Sequence, residues 1–198
     1  MKSNNSILYK FNLKDEISSI SDCIISEAFK KKDLVDYNVS YNFSLSTEFN
    51  SYLYDIFIKK CESLFDFKLY NQEFQLWCMY NDKSCLEGNN KWHNHIQGST
   101  INGVLYLKTV EGCGLKYCEK FEMNQIDIDP KFFETYEEGK NIQYIEPKDF
   151  DLYIFPDYMM HTPVFTADKL KDEIRISLNL EIKCIEDSIN IFNTNKNT

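Results

Sequence analysis

Apolar positions along the chain change period twice. Leu13, Ile17, Ile20, Ile24 and Ala28 recur at three- and four-residue steps, the spacing of one helical face. Asn12 can cap the start of this helix, and Lys30, Lys31 and Lys32 fall in its last turn, where cations suit the helix dipole. The basic triplet therefore reads as a solvated helix end. From Asp36 to Leu45 the period drops to two, with Val39, Tyr41, Phe43 and Leu45 on one side, which predicts a strand. Ser46 or Thr47 then caps a second helix with the stripe Phe49, Leu53, Ile56 and Leu64, and with Tyr52 and Phe57 alongside. Such an aromatic stripe predicts packing against a sheet.

After residue 70 the helical period gives way to short extended runs. Glu73 to Tyr80 predicts a strand, Asn81 to Asn90 a polar loop, and further strands follow around His93 and from Thr100 to Lys108. Gly112 and Gly114 mark a turn before Leu115 to Phe121. Asn124 to Lys140 is acidic and interrupted by Pro130. Ile142 to Ile145 and Asp151 to Phe155 are strands, the second ended by Pro156. In the last strand Ile174, Ile176, Leu178, Leu180 and Ile182 alternate with Arg175, Ser177, Asn179 and Glu181. Helices followed by many short strands predict an α+β, mainly β chain, a sandwich or barrel with a helical buttress. The expected organisation is a single domain over residues 1–198. Residues 1–70 form the mainly helical buttress, 71–185 the β-barrel core and 186–198 a polar tail.

Composition narrows the partners. A net charge of -9 disfavours nucleic acid and anionic membrane, both of which call for a basic face. No uninterrupted apolar run reaches the length of a membrane span. The seven cysteines, Cys23, Cys61, Cys78, Cys85, Cys113, Cys118 and Cys184, are odd in number and include no CxxC pair. Met1 to Lys10 lacks the apolar core of a secretion signal. Reduced thiols and a cytoplasmic location are the expectation.

The candidate chemistry lies in three histidines and one arginine. His93 and His95 stand one residue apart, so on a strand both rings share a face. His161, the third histidine of the chain, follows the strand Asp151 to Phe155 and can close the set from a distance. Imidazole suits iron, zinc, copper and nickel alike. Arg175, the only arginine, brings the planar fork that binds a carboxylate in bidentate fashion, which lysine cannot supply. Ser177 shares its face.

Trp92-His93-Asn94-His95 leading into Asn102-Gly103-Val104-Leu105-Tyr106-Leu107, then Tyr153-Ile154-Phe155-Pro156 with His161, and Arg175-Ile176-Ser177-Leu178-Asn179 resemble the iron(II)- and 2-oxoglutarate-dependent oxygenases. The similarity is greatest to a small group with a His-x-His motif, and it extends over about residues 73 to 183. The resemblance implies a double-stranded β-helix, a cupin-like jelly roll, with the N-terminal helices packed on one sheet. It implies iron(II) held by His93 and His161, with His95 at the middle ligand position to complete a three-histidine set, and 2-oxoglutarate held by Arg175 with Ser177 and Tyr106. The activity it implies is a dioxygenase reaction, a hydroxylation of a small molecule, an amino acid or a peptide side chain, that consumes dioxygen. Trp92, Asn94 and Asn102 are the expected substrate contacts. Trp92, the loop Asp82 to Asn90 and the acidic segment Asn124 to Lys140 are expected to border the cavity, an acidic rim favouring a cationic or zwitterionic substrate.

Two departures from the family pattern stand out. His95 occupies the position of the usual carboxylate ligand, and Ile96 that of the proline after it. Three neutral imidazoles leave a metal more positive than two with a carboxylate. Asp157 is a possible substitute carboxylate. His95 also speaks against a halogenase, which needs Gly or Ala there. The competing readings are a three-histidine thiol dioxygenase on a cupin barrel, a zinc hydrolase or hydratase, and a non-enzymatic jelly-roll binding module in which the histidines hold a structural zinc, with Cys78, Cys113 and Cys118 as candidate further ligands, or hold nothing.

Overall fold

The computed structural model describes residues 8–32, 41–65, 73–85, 92–96, 99–118, 142–166 and 168–183. In chain order the elements are β1 (Tyr9–Asn12), α1 (Lys14–Lys32), β2 (Tyr41–Phe43), α2 (Thr47–Leu64), β3 (Glu73–Asn81), β4 (Ile101–Lys108), β5 (Gly114–Cys118), β6 (Ile142–Ile145), β7 (Asp151–Pro156), β8 (His161–Val164) and β9 (Arg175–Lys183). They form a six-stranded sheet in the order β1-β7-β4-β9-β3-β2 and a three-stranded sheet in the order β6-β5-β8. Every strand pair in both sheets is antiparallel. The architecture is a double-stranded β-helix with two helices on its larger sheet.

Alternation along each strand decides which side chains meet the helices. Ile176, Leu178, Leu180 and Ile182 of β9, Leu76, Cys78 and Tyr80 of β3, and Leu152 and Ile154 of β7 face one way. They pack with Leu13, Ile17, Ile24 and Ala28 of the α1 region and with Leu53, Phe57 and Cys61 of α2 into the main apolar core. Burying each of these larger side chains contributes about 1.5–3 kcal/mol. The contact is close. A Cβ added at Gly103 of β4 would stand 2.6 Å from the Phe57 ring, so glycine lets α2 settle onto the sheet.

Several expectations shift in detail. The buried line of α2 runs through Leu53, Phe57 and Cys61, steps of four residues, while Phe49, Ile56 and Leu64 pack at its margin and Tyr52 is exposed. Asn12 does bind the start of α1, its Oδ1 accepting from the Lys14 N–H at 3.2 Å. The Ser46 side chain makes no cap hydrogen bond; its backbone N–H instead donates to Glu27 of α1 at 2.7 Å, tying the two helices together. The mainly helical buttress also supplies β1, an unexpected strand, and β2, which falls within the strand expected from Asp36 to Leu45; these form the two edges of the large sheet. The tail, residues 33–40, the segment Asn124 to Lys140 and most of the loop Asp82 to Asn90 lie outside the described residues. No helix among the described residues is long and apolar enough to cross a membrane.

Candidate active site

Opposite the helices, the large sheet faces the small one across a cleft. His93, His95 and His161 line it, with Asn102 and Tyr106 of β4 and Arg175, Asn179 and Glu181 of β9.

The histidines are brought together by backbone pairing. His93 and His161 form an isolated antiparallel bridge, each N–H donating to the other's carbonyl at 3.0 Å. The His95 N–H donates to the Asp157 carbonyl at 2.8 Å, which holds the second ring on the same side. The ligating atoms of the three rings all lie within 4.8 Å of one another. This trio is the group of potential metal ligands that converges among the described residues. Asp157 does not join it. Cys78, Cys113 and Cys118 fall into three separate apolar clusters, so the cysteine-based zinc site is not assembled.

Hydrogen bonds fix which nitrogen faces the centre in two of the three rings. His161 Nδ1 lies 2.8 Å from the Met159 carbonyl, which can only accept, so the proton is on Nδ1. His95 Nδ1 lies 2.5 Å from the Glu181 carboxylate, with the same consequence. Both Nε2 atoms then turn toward each other across 3.3 Å, a separation that one shared cation, a proton or a metal ion, can bridge. Two nitrogens bound to one ion at about 2.1 Å stand about 3.0 Å apart at a right angle and about 3.4 Å apart at the tetrahedral angle. The observed spacing lies between these values, so the donor set fits a metal ion. His161 is buried, and its pKa is held well below the usual imidazole value by desolvation first and by the other two rings second. It is neutral, as a ligand must be.

Arg175 marks the second half of the cleft. It is 1% exposed, the largest of the fully buried side chains. Its Nη1 donates to Asn81 Oδ1 at 2.8 Å and approaches Met79 Sδ at 3.6 Å, while the guanidinium lies 5.1 Å from the Tyr106 ring centre. No carboxylate pairs with it among the described residues. Arg175 Nε, the Tyr106 hydroxyl and Ser177 Oγ are all buried without a hydrogen-bond partner. The Tyr106 hydroxyl feels the guanidinium charge without bonding to it in ordinary geometry; burial raises its pKa and Arg175 opposes the rise. A buried cation among orphaned donors is costly, and an incoming carboxylate offers what all of them lack. The residues therefore fit a dicarboxylate cosubstrate as well.

Of the residues expected from sequence, Asn102 lines the cleft with its Nδ2 unpartnered. Ser177 is buried on the Arg175 face but does not reach the cleft surface. Trp92 and Asn94 sit on the opposite side from the histidines they alternate with. Trp92 packs against Cys118 and Met160, and Asn94 approaches Met160 Sδ at 3.4 Å, so neither borders the cleft. Sequence reading gave no role to Asn81, Met159, Asn179 or Glu181. For Glu181 a signal existed, because alternation alone puts it on the Arg175 face. The cross-strand partners of Arg175 needed the β3–β9 register.

A family model described as "Putative 2OG-Fe(II) oxygenase" matches residues 75–181, more than half of the chain. Comparison with curated proteins gives no match. Among solved structures, HygX from Streptomyces hygroscopicus with nickel and 2-oxoglutarate bound is similar at a TM-score of 0.61 and 8% identity, over 92% of this chain and 84% of its own. The non-heme alpha ketoglutarate dependent carbocyclase SnoK from nogalamycin biosynthesis gives 0.67 at 8% identity, over 90% and 79%. A Pseudomonas putida prolyl-4-hydroxylase gives 0.55 at 12% identity, over 91% and 94%. At such identities the likeness is one of fold.

Proposed function

From the premise that the chain belongs to the 2OG-Fe(II) oxygenase family, we propose that His93, His95 and His161 hold the iron and that Arg175 receives the far carboxylate of 2-oxoglutarate. The observation that carries this reading is the fully buried guanidinium without an anion, at one end of a cleft whose other end gathers three imidazoles. Iron(II), when bound, supplies the centre at which dioxygen and 2-oxoglutarate react, with succinate as a product.

The chain's own residues prepare that centre. The Met159 carbonyl keeps the His161 proton on Nδ1, leaving Nε2 free to ligate. Asn81 anchors one arm of Arg175, so the fork is oriented before the cosubstrate arrives and little entropy is lost on binding. Tyr106, stacked near the guanidinium, offers its hydroxyl to the same carboxylate, while Ser177 Oγ lies behind the cleft surface on the same face. Val104, Tyr106, Tyr153, Phe155 and Met159 form an apolar cluster on this face, which restricts water near the reacting atoms and strengthens each polar contact. Asn102 and Asn179 each carry a buried amide nitrogen without a partner and line the cleft, so the substrate is one that presents acceptor oxygens. The reaction is hydroxylation of a small molecule, an amino acid or a peptide side chain, and the reduced thiols suit a cytoplasmic setting.

Anaerobic titration with iron(II) and 2-oxoglutarate tests the assignment. A weak visible charge-transfer band is expected only when both are present, together with succinate release in air. The band should be absent in His161→Ala and in Arg175→Ala. A band of native strength in Arg175→Ala would remove the arginine from the cosubstrate site, and native iron binding by His161→Ala would remove the histidine from the metal site.

A further inference from the structure

Glu181 is a carboxylate on the cleft face of β9, 8% exposed, directly across the sheet from Asn102. Its Oε1 stands 2.5 Å from His95 Nδ1, and among the described residues that ring is its ion-pair partner. A carboxylate so far from water is costly unless positive charge is nearby. His95 alone provides that only weakly while it is a neutral ring. It provides it well when the opposite nitrogen carries a metal ion, because the ring then transmits the charge to the N–H that the carboxylate accepts.

The two ligating rings are backed unequally. His161 is held by the neutral Met159 carbonyl, and His95 by an anion. A histidine whose far N–H donates to a carboxylate is fixed in tautomer and plane and becomes a stronger donor to the metal. The departure from a two-histidine, one-carboxylate ligand set therefore has a counterpart one bond network further out. We propose that Glu181 is a positioning residue that delivers to the metal, through His95, the negative charge that a directly ligating Asp or Glu supplies elsewhere. The inference rests on the three-histidine reading above. It accounts both for an imidazole at position 95 and for a buried acid at position 181.

The test is metal affinity and cobalt spectroscopy, with no turnover required. Anaerobic calorimetric titration with cobalt(II) is run on the native chain, Glu181→Gln, His95→Asp and the double variant. Glu181→Gln keeps size and a hydrogen-bond acceptor, and its metal-free melting temperature controls for folding. Loss of about 10–100-fold in affinity is expected in the native background. In the His95→Asp background the same change should cost nothing or improve binding, since the carboxylate at 95 then ligates directly and faces one acid fewer. The cobalt(II) d–d bands of Glu181→Gln should also shift, which keeps the question open to measurement if His95→Asp does not fold. Native affinity with native bands in Glu181→Gln overturns the inference, as does an equal loss in both backgrounds, the mark of a merely structural role. A native chain that binds no cobalt(II) overturns the three-histidine reading itself, a different result from a native chain that binds and a variant that binds equally.

Discussion

On one face of the six-stranded sheet, Ile154, Leu178 and Ile182 meet Phe57 and Ile17 in a layer where every large side chain is apolar and packed. On the other face of the same strands, Arg175, Ser177 and Tyr106 keep buried polar atoms with no partner. The alternating positions of β9 contribute to both. The helix-covered face holds the fold together. The cleft face combines the buried apolar cluster of Val104, Tyr106, Tyr153, Phe155 and Met159 with these unpartnered polar atoms, the pattern of a surface shaped to receive a charged ligand. Mutations on the two faces should therefore move different observables.

The largest effect is expected from Phe57→Ala, which opens the helix-covered layer and should cost about 3–5 kcal/mol of unfolding free energy, read by denaturant melts. Cosubstrate affinity of the remaining folded protein should stay native. Arg175→Leu should do the reverse. 2-Oxoglutarate affinity should fall by about 30–1000-fold, equivalent to about 2–4 kcal/mol, while the metal-free melting temperature holds or rises because an unpaired buried charge is gone. A large drop in melting temperature would show that Arg175 is structural. Gly103→Ala sits on a cleft-lining strand but presses on Phe57. It should cost about 1–3 kcal/mol of stability and leave 2-oxoglutarate binding within about twofold of native; a larger binding change would mean that the faces are coupled.

Asp151 gives the smallest effect and sharpens the contrast, because it is a buried charge on the cleft face that is fully paired. Lys10 lies 2.7 Å away, the Lys148 N–H donates at 2.8 Å and Asn12 Nδ2 at 3.1 Å. Burial pushes its pKa up, but Lys10, the Lys148 N–H and Asn12 outweigh that and hold it below the usual carboxylate value. A depressed folded pKa stabilises the fold above the unfolded value of about 3.9, and that contribution is lost as pH falls through the folded one. Asp151→Asn should therefore cost about 1–2 kcal/mol at neutral pH, with the gap to the native chain closing in urea melts as the pH is taken below the usual carboxylate value. A gap unchanged by acid would rule out the charge as its source.

Strong periodicity made the elements that build the core legible in sequence. β9 and α1 could be read because each buries one face over many residues, and Ile142 to Ile145 agrees to the residue. β1 and β8 could not. β1 spans four residues at a sheet edge, too few for alternation to register. β8 carries Pro163, which reads as a break although a proline is tolerated at the edge of the small sheet. The meeting of the histidines was legible from the His-x-His spacing, and the inward aim of Arg175 from its alternation with isoleucine and leucine. What supports them was not, because Met159, Asn81 and Glu181 act through register and turn geometry that spacing along one strand does not encode. Trp92 shows the same limit from the other side: the strand expected around His93 is only an isolated bridge, and Trp92, its neighbour in sequence, packs against Cys118 and Met160 away from the cleft.

Arg175 and Glu181 are six residues apart on one continuous strand, about 20 Å at the rise of an extended chain. β9 thus works as a molecular ruler, with the guanidinium at one end and the prop for His95 at the other. Removing a single residue between them would turn one end through half a rotation into the layer under the helices while the other stayed in place. The span between Arg175 and Glu181 cannot be shortened in small steps, so changes in the shape of this cleft must come from the side chains and loops around the strand and not from its length.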